Sequence, residues 1–96
     1  MRTDLPVVAY QDGMARRVRA VDLSCSGALF QRQSTRYPPM IQRVELDLGG
    51  EAPVRGVART VWAQGDLHAV RFVELGDVDR LEIAEHIDRL EGRGCP

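Results

Sequence analysis

The chain of 96 residues contains no lysine, so all thirteen of its basic residues are arginine. The planar guanidinium fork suits phosphate groups and guanine edges better than a lysine ammonium does. A genome of high GC content enriches arginine everywhere, and it accounts for the same bias without any binding role. The fourteen acidic residues bring the net charge to −1, which argues against a general nucleic-acid binder.

Aromatic residues and cysteines are also scarce. Aromatic side chains make up 5% of the chain, too few for a surface of interleaved rings that would stack on nucleic-acid bases. The cysteines, Cys25 and Cys95, lack the spacing of a zinc site or of a disulfide framework, and we expect two reduced thiols. His68 and His86 have no partner at ligand spacing, so no metal site is expected.

Long apolar runs are missing too. The longest spans about four residues, far fewer than the ~20 that a membrane helix needs. The N-terminal part lacks the basic start and apolar stretch of a secretory signal, so we expect a cytoplasmic protein without membrane insertion. No nucleophile–base pair or phosphate-binding glycine loop is visible, so neither enzymatic activity nor a cofactor is expected.

The length allows one domain over residues 1–96. Six β-like runs are predicted at 5–11, 14–23, 28–31, 40–48, 53–63 and 67–74. Asp12-Gly13 and Gly65-Asp66 have the composition of hairpin turns. Closely spaced strands with short turns favour an antiparallel barrel, which we place over about residues 5–75.

The second predicted strand departs from simple alternation. In the second strand Val18 and Ala20 lie on one side, whereas Val21 and Leu23 fall on the arginine side. A bulge near Ala20 or Val21 would restore the phase.

In the fifth strand we predict that Trp62 belongs to the core or the barrel rim rather than to a stacking surface.

The periodicity changes after the last strand. Ile83, Ile87 and Leu90 recur at i, i+4 and i+7 between acidic and basic residues, which is typical of an amphipathic helix. We place this helix over about residues 77–91 and expect 92–96 to be a flexible tail. The predicted fold is therefore mainly β: a six-stranded antiparallel barrel with one C-terminal amphipathic α-helix.

One short motif lies between the second and third strands. Asp22-Leu23-Ser24-Cys25-Ser26-Gly27 reads as D-x-S-x-x-G. Asp and Ser hydrogen-bond their own backbone at turns, and Gly relieves a tight bend. The same residue types can hold a polar ligand, because short acceptor side chains and a bare backbone permit close approach. The residues alone leave both roles open.

In chain order, several segments resemble the PilZ family of cyclic-di-GMP receptors. The D-x-S-x-x-G motif is followed by an apolar run at 28–30, and 44–48 resembles the family's central strand. Residues 57–62 and then 69–72 resemble its closing pair, with Ala69 in place of the usual glycine. The resemblance covers nearly the whole chain, and it implies a six-stranded antiparallel barrel with a C-terminal helix.

The resemblance also implies a ligand site. In ligand-binding members, an R-x-x-x-R segment before the first strand wraps the nucleotide, and the motif contributes contacts from the barrel surface. By this resemblance, Asp22, Ser24 and Gly27 are expected to bind cyclic-di-GMP. The R-x-x-x-R segment is missing or degenerate here, and Arg2 would stand for its second arginine.

The same R-x-x-x-R spacing recurs elsewhere. It occurs at Arg32 and Arg36 and again at Arg55 and Arg59, outside the family's position. In a chain with thirteen arginines such matches arise by chance, so we give them little weight.

Three functions stay open at this point. The first is a cyclic-di-GMP receptor in bacterial motility or surface behaviour, with affinity reduced by the missing arginine. The second is a degenerate PilZ adaptor that has lost the nucleotide and works through a protein partner. The third is an unrelated small barrel whose arginine-rich second strand binds an anionic partner such as RNA, although the net charge disfavours nucleic acid.

Overall fold

Six antiparallel strands form a closed barrel in the computed structural model, which describes residues 2–11, 13–32 and 38–91. The strand order is β1-β2-β3-β6-β5-β4, and β1 also pairs with β4, which closes the sheet. The mainly-β barrel with one C-terminal helix is therefore confirmed. The elements are β1 (Arg2–Gln11), β2 (Met14–Leu23), β3 (Gly27–Gln31), β4 (Ile41–Leu46), β5 (Val54–Gln64), β6 (Leu67–Leu75) and α1 (Asp77–Glu91).

The element boundaries agree closely with the sequence prediction. The main difference is β1, which begins at Arg2 instead of near residue 5. Helix α1 covers the predicted range of 77–91. No helix among the described residues is both long and apolar enough to span a bilayer. The predicted tail at 92–96 lies outside the described residues.

Both predicted two-residue hairpins are present. Gln11 pairs with Met14 across the first turn, and Gly13 has a φ of 77°. Gln64 pairs with Leu67 across the second turn, where Gly65 has a φ of 61°. Positive φ angles at such turns match the right-handed twist of the flanking strands, and glycine adopts them without a steric penalty.

The predicted bulge in β2 is also present. Ala20 pairs with Phe30 and Asp22 pairs with Leu29, so two steps along β2 match one step along β3. The extra residue changes the phase of the strand. As a result, Ala20 and Leu23 both point into the barrel, although their spacing would put them on opposite faces of a regular strand.

Helix α1 closes one end of the barrel. The apolar side of the helix supplies Ile83 and Ile87, which are 0% and 6% exposed. They join the core side chains of that end, which are Leu5, Leu23, Leu46 and Val54. The chain passes from β6 through Gly76 into α1 without a connecting loop, so the helix starts at this end, here called the helix end.

The opposite end, called the hairpin end, carries the turns at 11–14 and 64–67. Its interior contains buried polar side chains beside Phe30. The Thr60 hydroxyl donates to the Pro39 carbonyl at 2.8 Å, and His68 Nε2 lies 2.8 Å from the same hydroxyl oxygen. Because the hydroxyl has one proton and gives it to Pro39, Nε2 of His68 is the donor in its contact with Thr60. Burial, together with the charge of Arg32, lowers the pKa of His68 to about 4.

The lowered pKa of His68 predicts a pH-dependent stability. The unfolded chain takes up this proton near the ordinary value of 6.5, whereas the folded protein takes it up only near 4. The contribution of neutral His68 to the free energy of unfolding is therefore complete above pH 6.5, and it is lost as the pH falls from 6.5 towards 4. Urea unfolding across this window should show the loss, and His68→Gln, which keeps a donor for Thr60 but does not titrate, should reduce it. An imidazole resonance of His68 that titrates at 6.5 or higher would contradict the prediction.

Candidate functional site

The turn between β2 and β3 is held together by the hydroxyl of Ser24. Its Oγ accepts from the backbone N–H groups of Ser26 at 3.3 Å and Gly27 at 3.1 Å. It also lies 3.2 Å from the Gly27 carbonyl and 3.2 Å from Ser26 Oγ. A hydroxyl has two acceptor positions and one proton, so these contacts within the turn use its full capacity. Ser24 thus has a structural role that needs no ligand.

Gly27 also has a structural reason to be glycine. A Cβ at this position would overlap the carbonyl oxygen of Val70 on β6 and would lie 3.2 Å from the Cα of Arg71. The neighbouring Ser26 carbonyl accepts from the Phe72 N–H at 2.9 Å. Because Gly27 has no Cβ, the turn and the start of β3 can lie directly against β6.

Asp22 and Arg2 are cross-strand neighbours. The register of β1 and β2 pairs Arg2 with Asp22, and a register shift separates this pair from Leu5. Residues directly opposed in an antiparallel ladder share a face, with Cβ atoms about 4.5–5.5 Å apart. The structure thus brings all four predicted site residues to the same region of the barrel. Arg2 occupies it as the first residue of β1, not as part of a segment before the first strand.

Cys25, in the middle of the motif, corrects another expectation. We predicted reduced thiols, but Cys25 is disulfide-bonded, and no free cysteine occurs among the described residues. Cys95, the other cysteine of the sequence, lies outside them. The prediction of a reduced thiol is therefore wrong for Cys25, where the spacing in the sequence contained no signal of a bridge.

Two arginines lie beside the motif on the outer surface. Arg71 of β6 is paired with Gly27 on one side and with Arg59 of β5 on the other. Both guanidiniums are exposed, and neither forms an ion pair with any residue in the described part of the chain. Like charges directly opposed on neighbouring strands repel each other, so this pair favours a bound anion.

Trp62 faces outward on the same side of the barrel. Thr60 pairs with Val70 and Trp62 pairs with Ala69, so Val61 is an extra residue in β5. The bulge turns Trp62 away from the interior that its spacing from Thr60 would otherwise give it. Trp62 is 44% exposed and Val61 is 60% exposed. Of the two positions predicted for Trp62, the core and the barrel rim, this exposure excludes the core.

These residues form a continuous surface, here called the motif face: Asp22, Gly27, Leu29, Arg59, Val61, Trp62 and Arg71. The ladder places Asp22, Leu29, Ala69 and Trp62 in one row across four strands. At about 4.8 Å per strand, this row spans roughly 14 Å. A shallow depression of about 300 Å³ lies over the motif and is bordered by Asp22, Val61 and Arg71.

A second surface groove, of about 430 Å³, differs because its arginines already have partners. Arg55 Nε lies 3.4 Å from Glu45 Oε1, and the guanidinium of Arg43 lies 5.5 Å from the centre of the Tyr10 ring. The described residues contain no group of three or more His, Cys, Asp or Glu that could hold a metal ion. The motif face is therefore the stronger candidate for a functional surface.

Comparisons with known proteins show the fold. No protein-family model matches the chain, and no curated protein matches it either. The crystal structure of an uncharacterised protein from Legionella is similar, with a TM-score of 0.55 and 15% sequence identity. The match covers 90% of this chain and 86% of that one. At this identity the likeness concerns the barrel architecture alone.

Sequence reasoning missed the contribution of Arg59, Arg71 and Trp62. A signal existed for Arg71, which lies between Val70 and Phe72 in a β-like run and so is expected to face outward. Their adjacency depends on the register between β5 and β6. The position of Trp62 depends on the bulge at Val61, which alternation alone does not reveal.

The close approach at Gly27 leads to a stability prediction. Gly27→Ala should lower the free energy of unfolding by roughly 1–3 kcal/mol, because its Cβ meets backbone atoms of β6 that cannot rotate away. Gly50→Ala is the matched control, since a Cβ there has no neighbour within 4 Å and its φ is not positive. Urea unfolding of both variants tests this. Equal stability of the two variants would show that β3 and β6 are not this close.

Proposed function

We propose that this protein is a PilZ-like signalling domain that binds cyclic-di-GMP on its motif face. The observation that carries the proposal is the exposed pair Arg59 and Arg71, which lies beside Gly27 of the D-x-S-x-x-G turn and forms no ion pair in the described part of the chain. The resemblance to the PilZ family, stated above from the motifs, supplies the identity of the ligand.

The chemistry of the motif face suits a cyclic dinucleotide. The guanidinium forks of Arg59 and Arg71 can bind phosphate oxygens, and they match the O6/N7 edge of guanine. Asp22, at the opposite side of the depression, can accept from guanine N–H groups. The exposed indole of Trp62 offers a surface on which a purine can stack. A ligand with two phosphates also relieves the repulsion between the two arginines.

Within this proposal the motif residues have different roles. Ser24 and Gly27 shape the turn, and Gly27 keeps the surface low enough for a ligand to lie near the β3 backbone. Asp22 and Arg71 supply the direct contacts, with Arg2 beside Asp22. Arg59 and Arg71 supply, from the barrel wall, the kind of guanidinium contact that an arginine clamp makes in ligand-binding members of the family.

The proposal includes a cytoplasmic location and a regulatory role in motility or surface behaviour, as the resemblance implies. The disulfide at Cys25 is unusual for that compartment, where thiols are mostly kept reduced. Titrations should therefore be run with and without a reductant.

Calorimetric titration with cyclic-di-GMP tests the proposal. We expect saturable binding to cyclic-di-GMP and none to cyclic-di-AMP or GTP. Arg71→Ala and Asp22→Ala should each weaken binding by about 10–100-fold, as expected for the loss of a bidentate base or phosphate contact. Arg80→Ala is the control for Arg71→Ala, because Arg80 is exposed on α1 and its removal changes the net charge by the same amount.

No heat and no thermal shift at about 1 mM ligand would reject the receptor function at any meaningful affinity. Wild-type affinity in Arg71→Ala would reject the motif face as the site, even if cyclic-di-GMP binds elsewhere. These two outcomes separate a wrong ligand from a wrong surface.

The adaptor function is the second candidate, and a different observation favours it. Ile41, Val61 and Trp62 are 59%, 60% and 44% exposed. Ile41 is paired with Arg59 across β4 and β5, so the apolar patch borders the arginine pair. A partner segment with apolar and acidic residues would match this surface, because it would bury the patch and neutralise the guanidiniums.

Photo-crosslinking tests the adaptor function in cells that naturally contain the protein. A photoreactive amino acid at position 61 should give a defined adduct, whereas one at position 81 should not, although Leu81 is 57% exposed on α1. Adding Arg71→Glu should abolish the adduct, because it reverses the charge that an acidic partner recognises. An adduct that persists with Arg71→Glu, or that forms equally from position 81, would count against the adaptor.

A further inference from the structure

The hairpin end of the barrel contains a cationic pocket that is separate from the motif face. Gln11 pairs with Met14 across one hairpin and Gln31 pairs with Leu67 across β3 and β6, so the ends of β1 and β3 beside this pocket lie opposite α1. The pocket has a volume of about 240 Å³, and its described lining includes Arg16, Arg17, Arg32, Gln42, Phe30 and His68. It is here called the mouth pocket.

Arg16 points into the barrel, not out from it. Its partner across β1 and β2 is Ala9, which is 6% exposed and belongs to the core. Residues directly opposed in the ladder share a face, so the Arg16 side chain starts on the interior side. A guanidinium on the inner wall of a barrel is costly unless hydrogen bonds or an opposite charge compensate for it.

That compensation is absent from the described part of the chain. The buried Nε of Arg16 has no hydrogen-bond partner, and Arg16 forms no ion pair there. Gln42, which is 6% exposed, has a buried amide nitrogen, Nε2, that is also without a partner. Buried donors normally find an acceptor, and these two line the same pocket.

The rest of the described lining adds positive charge and no negative charge. Arg17 and Arg32 contribute two more guanidiniums, and no carboxylate is among the described lining residues. Because its pKa is lowered to about 4, His68 adds no charge at pH 7, and its Nε2 donates to Thr60. Phe30 and Val18 are among the apolar residues of the lining. The pocket therefore offers hydrogen-bond donors and positive charge, and a ligand that carries a negatively charged acceptor would complement both.

We propose that the mouth pocket binds a small organic oxyanion, a phosphate or carboxylate compound, through Arg16 and Gln42. The oxyanion accepts from the Nε of Arg16 and the Nε2 of Gln42, which satisfies both buried donors. Arg17 and Arg32 add attraction from the rim. A volume of about 240 Å³ equals that of about eight water molecules, which is enough to enclose a small anion. This site is independent of cyclic-di-GMP, which it is too small to enclose.

Titrations with inorganic phosphate and with malonate test the proposal, in Tris chloride at low ionic strength with sodium chloride as the ionic-strength control. Saturable binding on the order of 1 mM or tighter is expected for at least one anion, and the comparison shows whether phosphate or carboxylate is preferred. The pKa of His68, followed by NMR, should rise in the complex because the anion offsets the charge of Arg32.

Two variants locate the site. Arg16→Gln should weaken binding of the preferred anion at least tenfold, and Arg80→Gln on α1 should leave it unchanged. Gln42→Met should weaken the same binding yet raise the melting temperature, because it removes an unsatisfied buried amide. The second variant covers the case in which Arg16→Gln does not fold.

Failure of both anions to bind in a saturable way would overturn the proposal. Wild-type anion affinity in folded Arg16→Gln or in Gln42→Met would overturn it as well, as would loss of anion binding in Arg71→Ala. Because the motif face and the mouth pocket have different variants and different probes, a negative result for cyclic-di-GMP has no bearing on this test.

Discussion

The pairing of β1 with β4 is the constraint on which the rest of the structure depends. It closes the sheet, so each of the six strands pairs with a neighbour on both sides and the strands enclose an interior. A small closed barrel must fill its interior with side chains. The helix end does so with aliphatic residues and α1. The hairpin end has no helix over it in the described residues, and polar side chains such as His68 and Gln42 occupy its interior instead.

The motif shows how structural and functional explanations can share residues. Ser24 and Gly27 are both required by the turn and by its contact with β6, so a barrel that had lost its ligand would still keep them. Their presence therefore does not distinguish a receptor from an adaptor. Residues with no structural need for their charge are more informative, above all Arg59 and Arg71, which repel each other in the absence of an anionic partner. They favour a bound anion, and either a nucleotide or an acidic protein segment would supply it.

The net charge of −1 conceals a segregated distribution. Five of the thirteen arginines lie on the motif face or in the mouth pocket, whereas six of the fourteen acidic residues lie on α1 at the helix end. Strand β6 connects the two cationic regions, since Arg71 faces outward to the motif and His68 faces inward to the mouth pocket. A small protein can thereby present two surfaces of the same sign that differ in size and depth, one shallow and one enclosed.

The sequence by itself determined the elements. Alternating strands, Asp-Gly and Gly-Asp turns, the phase slip in β2 and the 3.6-residue period of α1 are local patterns, and local physics sets them. Only the tertiary structure decided which residues meet. The bulge at Val61 moved Trp62 to the surface, and the β5–β6 register placed Arg59 against Arg71. The pairing of β1 with β2 placed Arg16 opposite Ala9, on the interior side of β2. Register and bulges depend on packing between strands that are distant in sequence, so they cannot be predicted from any short segment of the chain.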